Sequence, residues 1–225
     1  GFTIQNGSTD NGGGLYIDNT HPTLSDIRIV GNSVSENGGG MYCRYSNLNL
    51  ENVTISNNSS NTGGGIYLYQ STIVINNSEI TNNTADWGGG FHGHLATEIN
   101  VNNSIISNNS AITNGGGISI SNNYGGNSYP TFFNTQISSN ESSNKGGGIY
   151  AVNISPILTN VTLFNNTSGV GGGLHCDVAH PNVNNTIMWS NSPEQIYFNE
   201  GDPSSVTITY SDIESGDAGI ETNDN

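Results

Sequence analysis

A glycine triplet recurs along the whole chain at a nearly constant spacing, and this feature constrains the fold more than any other. The intervals between successive triplets are 26, 25, 25, 27, 31 and 25 residues. Self-similarity at this period is typical of proteins built from stacked repeats, in which each repeat packs only against its neighbours. The triplets begin at Gly12, Gly38, Gly63, Gly88, Gly115, Gly146 and Gly171.

Within each repeat, apolar and polar residues alternate with the period of a strand. Aligned on the triplets, the apolar residues form four columns that begin at Leu15, Ile17, Leu24 and Ile29. The sequence therefore predicts an all-β fold, a single-stranded right-handed parallel β-helix (solenoid) of about eight coils with three short strands per coil. We expect one domain over 1–225, with an irregular closing coil over 199–225. Because the chain starts within a coil, we interpret it as a fragment of a longer protein.

Two polar columns mark corners of the predicted coils. Asparagine tolerates the left-handed backbone of a sharp corner, and its amide both donates and accepts, so stacked copies can hydrogen-bond along the axis. The glycine triplets supply positive φ and allow close approach between coils. We interpret all of these positions as structural. One column is Asn32, Asn58, Asn83, Asn109, Asn140, Asn166 and Asn191, and the other is Asp26, Asn52, Asn77, Asn103, Asn134, Asn160 and Asn185.

The triplet followed by Ile or Leu is paired with a second motif, Ile-x-x-Asn. It spans Ile29 to Asn32, Ile55 to Asn58, Ile80 to Asn83 and Ile106 to Asn109. Together the two motifs resemble the repeats of chlamydial polymorphic outer-membrane proteins and, more broadly, secreted right-handed β-helix repeat proteins of bacteria. The resemblance covers essentially the whole chain and implies a secreted or cell-surface location. It implies no single activity, because such proteins serve as adhesins, surface stalks or polysaccharide-active modules.

Charge excludes several classes of partner. Lys and Arg total 3 against 18 Asp and Glu, giving a net charge of -15. Binding to nucleic acid or anionic lipid requires clustered basic residues, so neither is expected. No apolar run is long enough to span a bilayer, so this segment is not expected to insert into a membrane. We expect a monomer, with end-to-end stacking as an alternative because the open first coil leaves unpaired strand edges.

The first strand of each coil, directly after the glycine triplet, has one side chain between its two inward-facing positions. That side chain should face solvent. The resulting column is mostly aromatic, with a break at Ser119. Rings one coil apart could stack on successive sugars of a polysaccharide or a host or cell-surface glycan. The alternative is that the rings stack on one another and stabilise the sheet. The candidate glycan-binding residues are Tyr16, Tyr42, Tyr67, His92, Tyr150, His175 and Tyr197.

Carboxylates supply the weaker candidates for chemistry. Asp10 and Glu36 should lie one coil apart, at a separation that suits a retaining glycosidase pair or a Ca²⁺ site. Asp212 and Asp217 belong to an acidic C-terminal set, with Asp202 and Asp224, that could also gather Ca²⁺. The remaining interpretation is that all of these are solvated carboxylates. Calcium is thus a possible ligand, and no other cofactor is predicted.

Two further features are weaker candidates for function. His92, His94 and Asp86 could together hold a metal ion. The fifth repeat carries about six extra residues over 122–129, including Tyr124, Gly125 and Gly126. Long loops often carry function, but this loop could equally be a tolerated insertion.

Two functional hypotheses follow. The first is a non-catalytic extracellular stalk or adhesin that binds neutral polysaccharide along the aromatic column. The second is a polysaccharide-active enzyme, a glycoside hydrolase or lyase, or its substrate-binding part. A lyase for acidic glycans fits poorly: Arg28, Arg44 and Lys145 are the only basic residues apart from histidine, Arg28 and Arg44 belong to different columns, and Lys145 lies far along the axis. The sequence favours the first hypothesis, and an enzyme, if the second holds, would degrade polysaccharide.

Overall fold

The computed structural model describes residues 1–95, 98–122, 128–199, 201 and 203–221. Over these residues the chain forms a parallel β-solenoid whose three long sheets contain nine, eight and nine strands. The all-β parallel β-helix of about eight coils predicted from the repeat period is therefore confirmed. Among the described residues, no helix has the length and apolar character needed to cross a bilayer.

Each coil contributes one strand to each sheet, and successive coils pair in parallel. Sheet 1 comprises Leu15–Asp18, Met41–Arg44, Ile66–Tyr69, Phe91–His94, Ile118–Ser121, Ile149–Val152, Leu174–Asp177, Ile196–Phe198 and Ile220–Glu221. Sheet 2 comprises Thr23–Ser25, Asn47–Glu51, Thr72–Asn76, Glu98–Asn102, Thr131–Phe133, Ile157–Thr159, Asn182–Asn184 and Thr207–Thr209. Sheet 3 comprises Thr3–Gln5, Arg28–Val30, Thr54–Ser56, Glu79–Thr81, Ile105–Ser107, Gln136–Ser138, Thr162–Phe164, Ile187–Trp189 and Asp212–Ile213.

Smaller elements complete the coils. Three further strands, Thr84–Trp87, Ser110–Asn114 and Glu141–Ser142, pair in parallel on a short fourth side before the glycine triplets. A 3-10 helix covers Gly216–Gly219 near the end of the described chain.

The register of the sheets reproduces the apolar columns read from the sequence. Leu15 pairs with Met41, Leu24 with Leu50, and Ile29 with Ile55. These columns form one continuous buried cluster along the axis. Burial of this apolar surface is the main favourable term holding the coils together.

The glycine triplets form a corner where adjacent coils come into backbone contact. The first glycine of each triplet has positive φ, as at Gly63 with φ +67. The second and third glycines lie too close to the next coil for any side chain. A Cβ atom on Gly64 would lie 2.4 Å from the carbonyl oxygens of Gly89 and Thr84. The triplet is therefore required by both conformation and space, as predicted.

The column from Asn32 to Asn191 is a buried ladder of hydrogen bonds. The Oδ1 atom of Asn83 accepts from the backbone N–H and the Nδ2 of Asn58, both at 3.0 Å. The Nδ2 of Asn83 donates to Asn109 Oδ1 and to the Ile55 carbonyl, both at 3.0 Å. The structural interpretation is confirmed, but its conformational reason was wrong. The left-handed residue of this corner is the one before each ladder asparagine, for example Asn82 with φ 57.

The second polar column, from Asp26 to Asn185, does adopt the left-handed conformation, with φ between 47 and 56. These side chains are exposed, and most of them hydrogen-bond to a column member in the adjacent coil, whereas the Nδ2 of Asn77 donates to Glu51 Oε1 at 2.6 Å. The Nδ2 of Asn134 donates to Asn103 Oδ1 at 2.8 Å, and that of Asn185 donates to Asn160 Oδ1 at 2.7 Å. The two asparagine columns therefore differ in kind, since one fills the interior and the other lines the surface.

The last coil replaces the glycine triplet with Pro193-Glu194-Gln195, and the replacement closes the ladder. The Nδ2 of Asn191 donates to Gln195 Oε1 at 2.6 Å. The Nε2 of Gln195 in turn donates to Glu214 Oε2 at 3.0 Å. The two cysteines, Cys43 and Cys176, form no disulfide bond and are buried in the core, as expected for residues of one column separated by several coils.

Candidate functional site

The outer face of sheet 1 carries two side-chain columns side by side. Residues two apart on a strand share a face, so each four-residue strand contributes one side chain to each column. We call the first column the aromatic row: Tyr16, Tyr42, Tyr67, His92, Ser119, Tyr150, His175 and Tyr197. We call the second the flanking column: Asp18, Arg44, Tyr69, His94, Ser121, Val152 and Asp177.

The rings of the aromatic row stack on one another. The ring centroids of Tyr16 and Tyr42 are 5.0 Å apart with an interplanar angle of 12°, and those of Tyr42 and Tyr67 are 5.3 Å apart at 8°. The stack continues from Tyr67 to His92 at 5.5 Å and 10°. Each ring face in the middle of the stack is therefore covered by its neighbours, and only ring edges and hydroxyl groups meet solvent. The stacking of neighbouring rings, given above as the alternative, is thus observed, and it leaves no room for a sugar between the middle rings. Glycan binding by the row stays a prediction.

Exposure decreases along the row from Tyr16 to His175 and rises again at Tyr197. Tyr16 is 51% exposed, and Tyr42, Tyr67 and Tyr197 are partly buried. Tyr150 and His175 are 8% and 0% exposed, so the expectation that they face solvent was wrong. The cause at His175 is the segment after the last strand of the row, because Asn199 Oδ1 lies 3.2 Å from His175 Nε2. The accessible part of the row is its first three tyrosines, with Tyr197 at the far end.

The flanking column orients the accessible end of the row. The guanidinium of Arg44 forms an ion pair with Asp18 at 2.7 Å and lies 5.9 Å from the centre of the Tyr16 ring. The hydrogen bond from Arg44 lowers the pKa of Asp18 below its ordinary value. Exposed ion pairs contribute little to stability, so the main effect of this pair is to fix the charged groups beside Tyr16.

The central phenols are neutral at physiological pH. Burial raises the pKa of Tyr67 to about 12, with a smaller contribution from Tyr42, and burial likewise raises the pKa of Tyr42. A neutral phenol can both donate and accept a hydrogen bond. The accessible row therefore presents a line of uncharged hydroxyl groups about 4.8 Å apart, the spacing of adjacent strands.

His92 introduces a pH dependence. Burial, with a smaller effect of His94, lowers the pKa of His92 to about 3, and its Nδ1 atom is buried with no hydrogen-bond partner among the described residues. Between the folded value and the ordinary value near 6.5, the unfolded chain binds a proton that the folded chain does not. Lowering the pH through this range therefore favours unfolding.

We expect His92→Tyr, which extends the tyrosine stack, to remove this dependence. As the pH falls from 6 to 4, His92 should lower the free energy of unfolding of the wild type by up to about 1.4 kcal/mol per pH unit. The variant lacks this loss, so its stability relative to the wild type should rise by the same amount. Urea denaturation at several pH values would measure the difference. His180→Tyr, at an exposed histidine, should leave the dependence unchanged. Parallel curves for the wild type and His92→Tyr would contradict the prediction.

The sequence-predicted carboxylates lie on the surface. The backbone N–H of Glu36 donates to the Asp10 carbonyl at 3.0 Å, so the two residues do occupy adjacent coils. Both side chains are exposed, and Glu36 Oε2 accepts a hydrogen bond from Asn11 Nδ2 at 2.8 Å. Asp212 and Asp217 are also exposed. Their catalytic and calcium-binding roles stay predictions.

Within the part of the chain that the structure describes, no group of three or more His, Cys, Asp or Glu side chains is arranged to hold a metal ion. The rings of His92 and His94 stack at a centroid distance of 6.3 Å. Asp202, Asp224 and the insertion residues Tyr124, Gly125 and Gly126 lie outside the described residues.

The fold and its outer columns define a class of protein: a parallel β-helix repeat protein with a ladder of buried asparagines and a stacked aromatic row. The chain belongs to the right-handed β-helix region family, whose model matches residues 2–129. The model of the Chlamydia polymorphic membrane protein repeat matches residues 134–152, which agrees with the resemblance seen in the motifs and is consistent with a surface location. Searches of curated proteins and of solved structures returned no match.

Proposed function

We propose that the chain is a non-catalytic part of an extracellular surface protein, a stalk or adhesin, that binds neutral polysaccharide at the accessible end of its aromatic row. The observation that carries this proposal is the ordered stack of Tyr16, Tyr42 and Tyr67 on a continuous sheet. Its phenol edges repeat at the strand spacing and are held in place before any ligand arrives, so binding costs little side-chain entropy.

The mode of contact follows from the covered ring faces. A polysaccharide chain parallel to the axis would form hydrogen bonds through its hydroxyl groups to the phenol edges. Tyr69, in the flanking column, widens the surface, since its ring stacks on that of His94 at 5.8 Å. The net charge of -15 disfavours acidic polysaccharides and supports a neutral ligand.

The double substitution Tyr42→Phe/Tyr67→Phe tests the proposal most directly, because it removes the hydroxyl groups and retains the stack. We expect affinity for a neutral polysaccharide, identified on a glycan array, to fall at least about tenfold, the equivalent of about 1.4 kcal/mol. Tyr42→Ala/Tyr67→Ala should weaken it further. The measurement is affinity electrophoresis, with circular dichroism to confirm that each variant folds.

The matched control is Phe133→Ala, at an exposed aromatic residue on sheet 2. It should leave glycan affinity unchanged. Retention of full affinity by both tyrosine variants would remove the aromatic row from the binding function, and the absence of any bound glycan on the array would remove the adhesin role altogether.

A further inference from the structure

A groove runs parallel to the axis along the corner between sheets 2 and 3, on a different face from the aromatic row. Two clefts of about 300 and 430 Å³ lie end to end in it and share Asn160 and Thr162 as lining residues. One wall is the left-handed asparagine column, and the other is the outward column of sheet 3. We call the stretch lined by Asn103, Ile105, Asn134, Gln136, Asn160, Thr162, Asn185 and Ile187 the corner groove.

The corner groove carries little charge in a strongly acidic protein: of the described residues that line the two clefts, only Asp212 is charged, and it lies at the far end of the second cleft with Tyr210 and Ser211. Its walls hold four asparagines, a glutamine, a threonine and two isoleucines, and its floor is Ser104, Thr135, Val161 and Thr186. The floor hydroxyls are committed to the protein itself. Ser104 Oγ, for example, accepts from the Ser78 N–H at 3.1 Å and donates to the Asn102 carbonyl at 2.7 Å. Any polar ligand would therefore be recognised by the walls.

The wall amides are half satisfied, unlike those of the buried ladder. In each pair one amide donates and the other accepts, at 2.8 Å for Asn134 and Asn103 and at 2.7 Å for Asn185 and Asn160. The Nδ2 groups of Asn103 and Asn160 therefore have no acceptor among the described residues. The Oδ1 atoms of Asn134 and Asn185 likewise have no donor among them. Free donors and acceptors thus alternate along the groove, one per coil.

Apolar side chains stand on the opposite wall. Ile105 is 37% and Ile187 is 47% exposed, and each faces the amide wall across a cleft. A surface that combines alternating amide donors and acceptors with apolar methyl groups matches a sugar, which has hydroxyl groups around its edge and C–H groups on its ring faces. The repeat of about 4.8 Å between coils is close to the advance per residue of an extended polysaccharide.

We propose that the corner groove is a second polysaccharide site, which takes a neutral, linear chain lying parallel to the solenoid axis with about one sugar per coil. The site does not depend on the proposed function of the aromatic row, because the two faces share no residue. An acidic polysaccharide is disfavoured by the negative charge of the protein. An extended peptide usually binds by pairing its backbone with an open strand edge, and the corner groove presents side-chain amides instead.

The test uses the wild-type chain and two variants that change opposite faces. Gln136→Ala/Thr162→Val removes polar groups from the corner groove, and Tyr42→Phe/Tyr67→Phe alters the aromatic row. Isothermal titration with cellohexaose, mannohexaose and a β-galactan hexasaccharide provides the readout. For at least one of these probes we expect affinity to fall about tenfold or more in the groove variant and to be retained in the tyrosine variant.

Thr81→Val is the matched control, since Thr81 lies on the same sheet, outside the clefts. It should leave affinity unchanged. Loss of all hexasaccharide binding in the tyrosine variant alone would overturn the corner groove and leave the aromatic row intact. Failure of all three neutral probes to bind the wild type, or preferential binding of polygalacturonate or of an extended peptide, would also overturn the proposal.

Discussion

Gly64→Ala is expected to destabilise the solenoid by roughly 3 kcal/mol or more, because the new methyl group would meet backbone atoms that cannot move independently. Its Cβ would lie 2.4 Å from the carbonyl oxygens of Gly89 and Thr84. Both carbonyls belong to the next coil, so relieving the contact requires the coils to separate, and separation weakens the hydrogen bonds on all three sheets. Urea denaturation followed by circular dichroism would measure the change.

Gly31→Ala provides the matched control, since it isolates the conformational part of a glycine's role. Gly31 has φ +66, but a Cβ there would have no atom within 4 Å. Its substitution should cost only about 1–2 kcal/mol, the usual cost of a left-handed conformation for a residue with a side chain. Equal effects of the two substitutions would show that close approach of the coils is not the reason for the triplet.

Asn83→Asp should have an effect of similar size through the buried ladder. The substitution keeps the shape but replaces the Nδ2 donor by an oxygen that faces two acceptors, Ile55 O and Asn109 Oδ1, each now 3.0 Å from Nδ2. A buried charge and two lost hydrogen bonds should cost roughly 3–5 kcal/mol at neutral pH. The matched control is Asn103→Asp, on the exposed column, where Oδ1 accepts from Asn134 and Nδ2 makes no hydrogen bond within the described residues. It should change stability by less than about 0.5 kcal/mol.

The pH dependence of Asn83→Asp gives a second readout. Burial should raise the pKa of the new carboxyl above that of an unfolded aspartate. A carboxyl with a raised folded pKa favours the folded state below its unfolded pKa, and this contribution is lost as the pH rises through the folded pKa. The deficit relative to the wild type should therefore shrink as the pH is lowered from 7 to 4. A deficit independent of pH would show that the new side chain is not buried in the ladder.

The sequence predicted the register of the molecule well, because register depends on spacing alone. Equivalent positions of consecutive repeats pair in the sheets, as Tyr16 does with Tyr42 and Tyr67 with His92. It predicted the glycine corner for the correct reason, with φ +67 at Gly63. It treated the two asparagine columns alike, however, and the structure separates them into a buried ladder and an exposed wall.

In the aromatic row, too, the sequence predicted the register of the side chains and did not predict their burial. Alternation along the strand placed Tyr150 and His175 on the outer face, and the structure keeps them there in register. Their burial was not predicted, and at His175 it involves a contact from outside the strand pattern, with Asn199 Oδ1 at 3.2 Å from His175 Nε2. The corner groove had no signal of its own in the sequence beyond the asparagine column, since its second wall comes from a different sheet.

What the sequence determined by itself is the arrangement of the repeats: the solenoid, the approximate number of coils, the partners of each strand and the columns on each face. Only the tertiary structure decided how the chain closes over its own surface: which rings are covered, which amides have a free donor, and where two sheets enclose a groove. The physical reason is that a repeat fixes the relation between neighbouring coils through hydrogen bonds of constant spacing. Burial and cleft shape depend on side chains from different parts of a coil, and these have no fixed separation in the sequence.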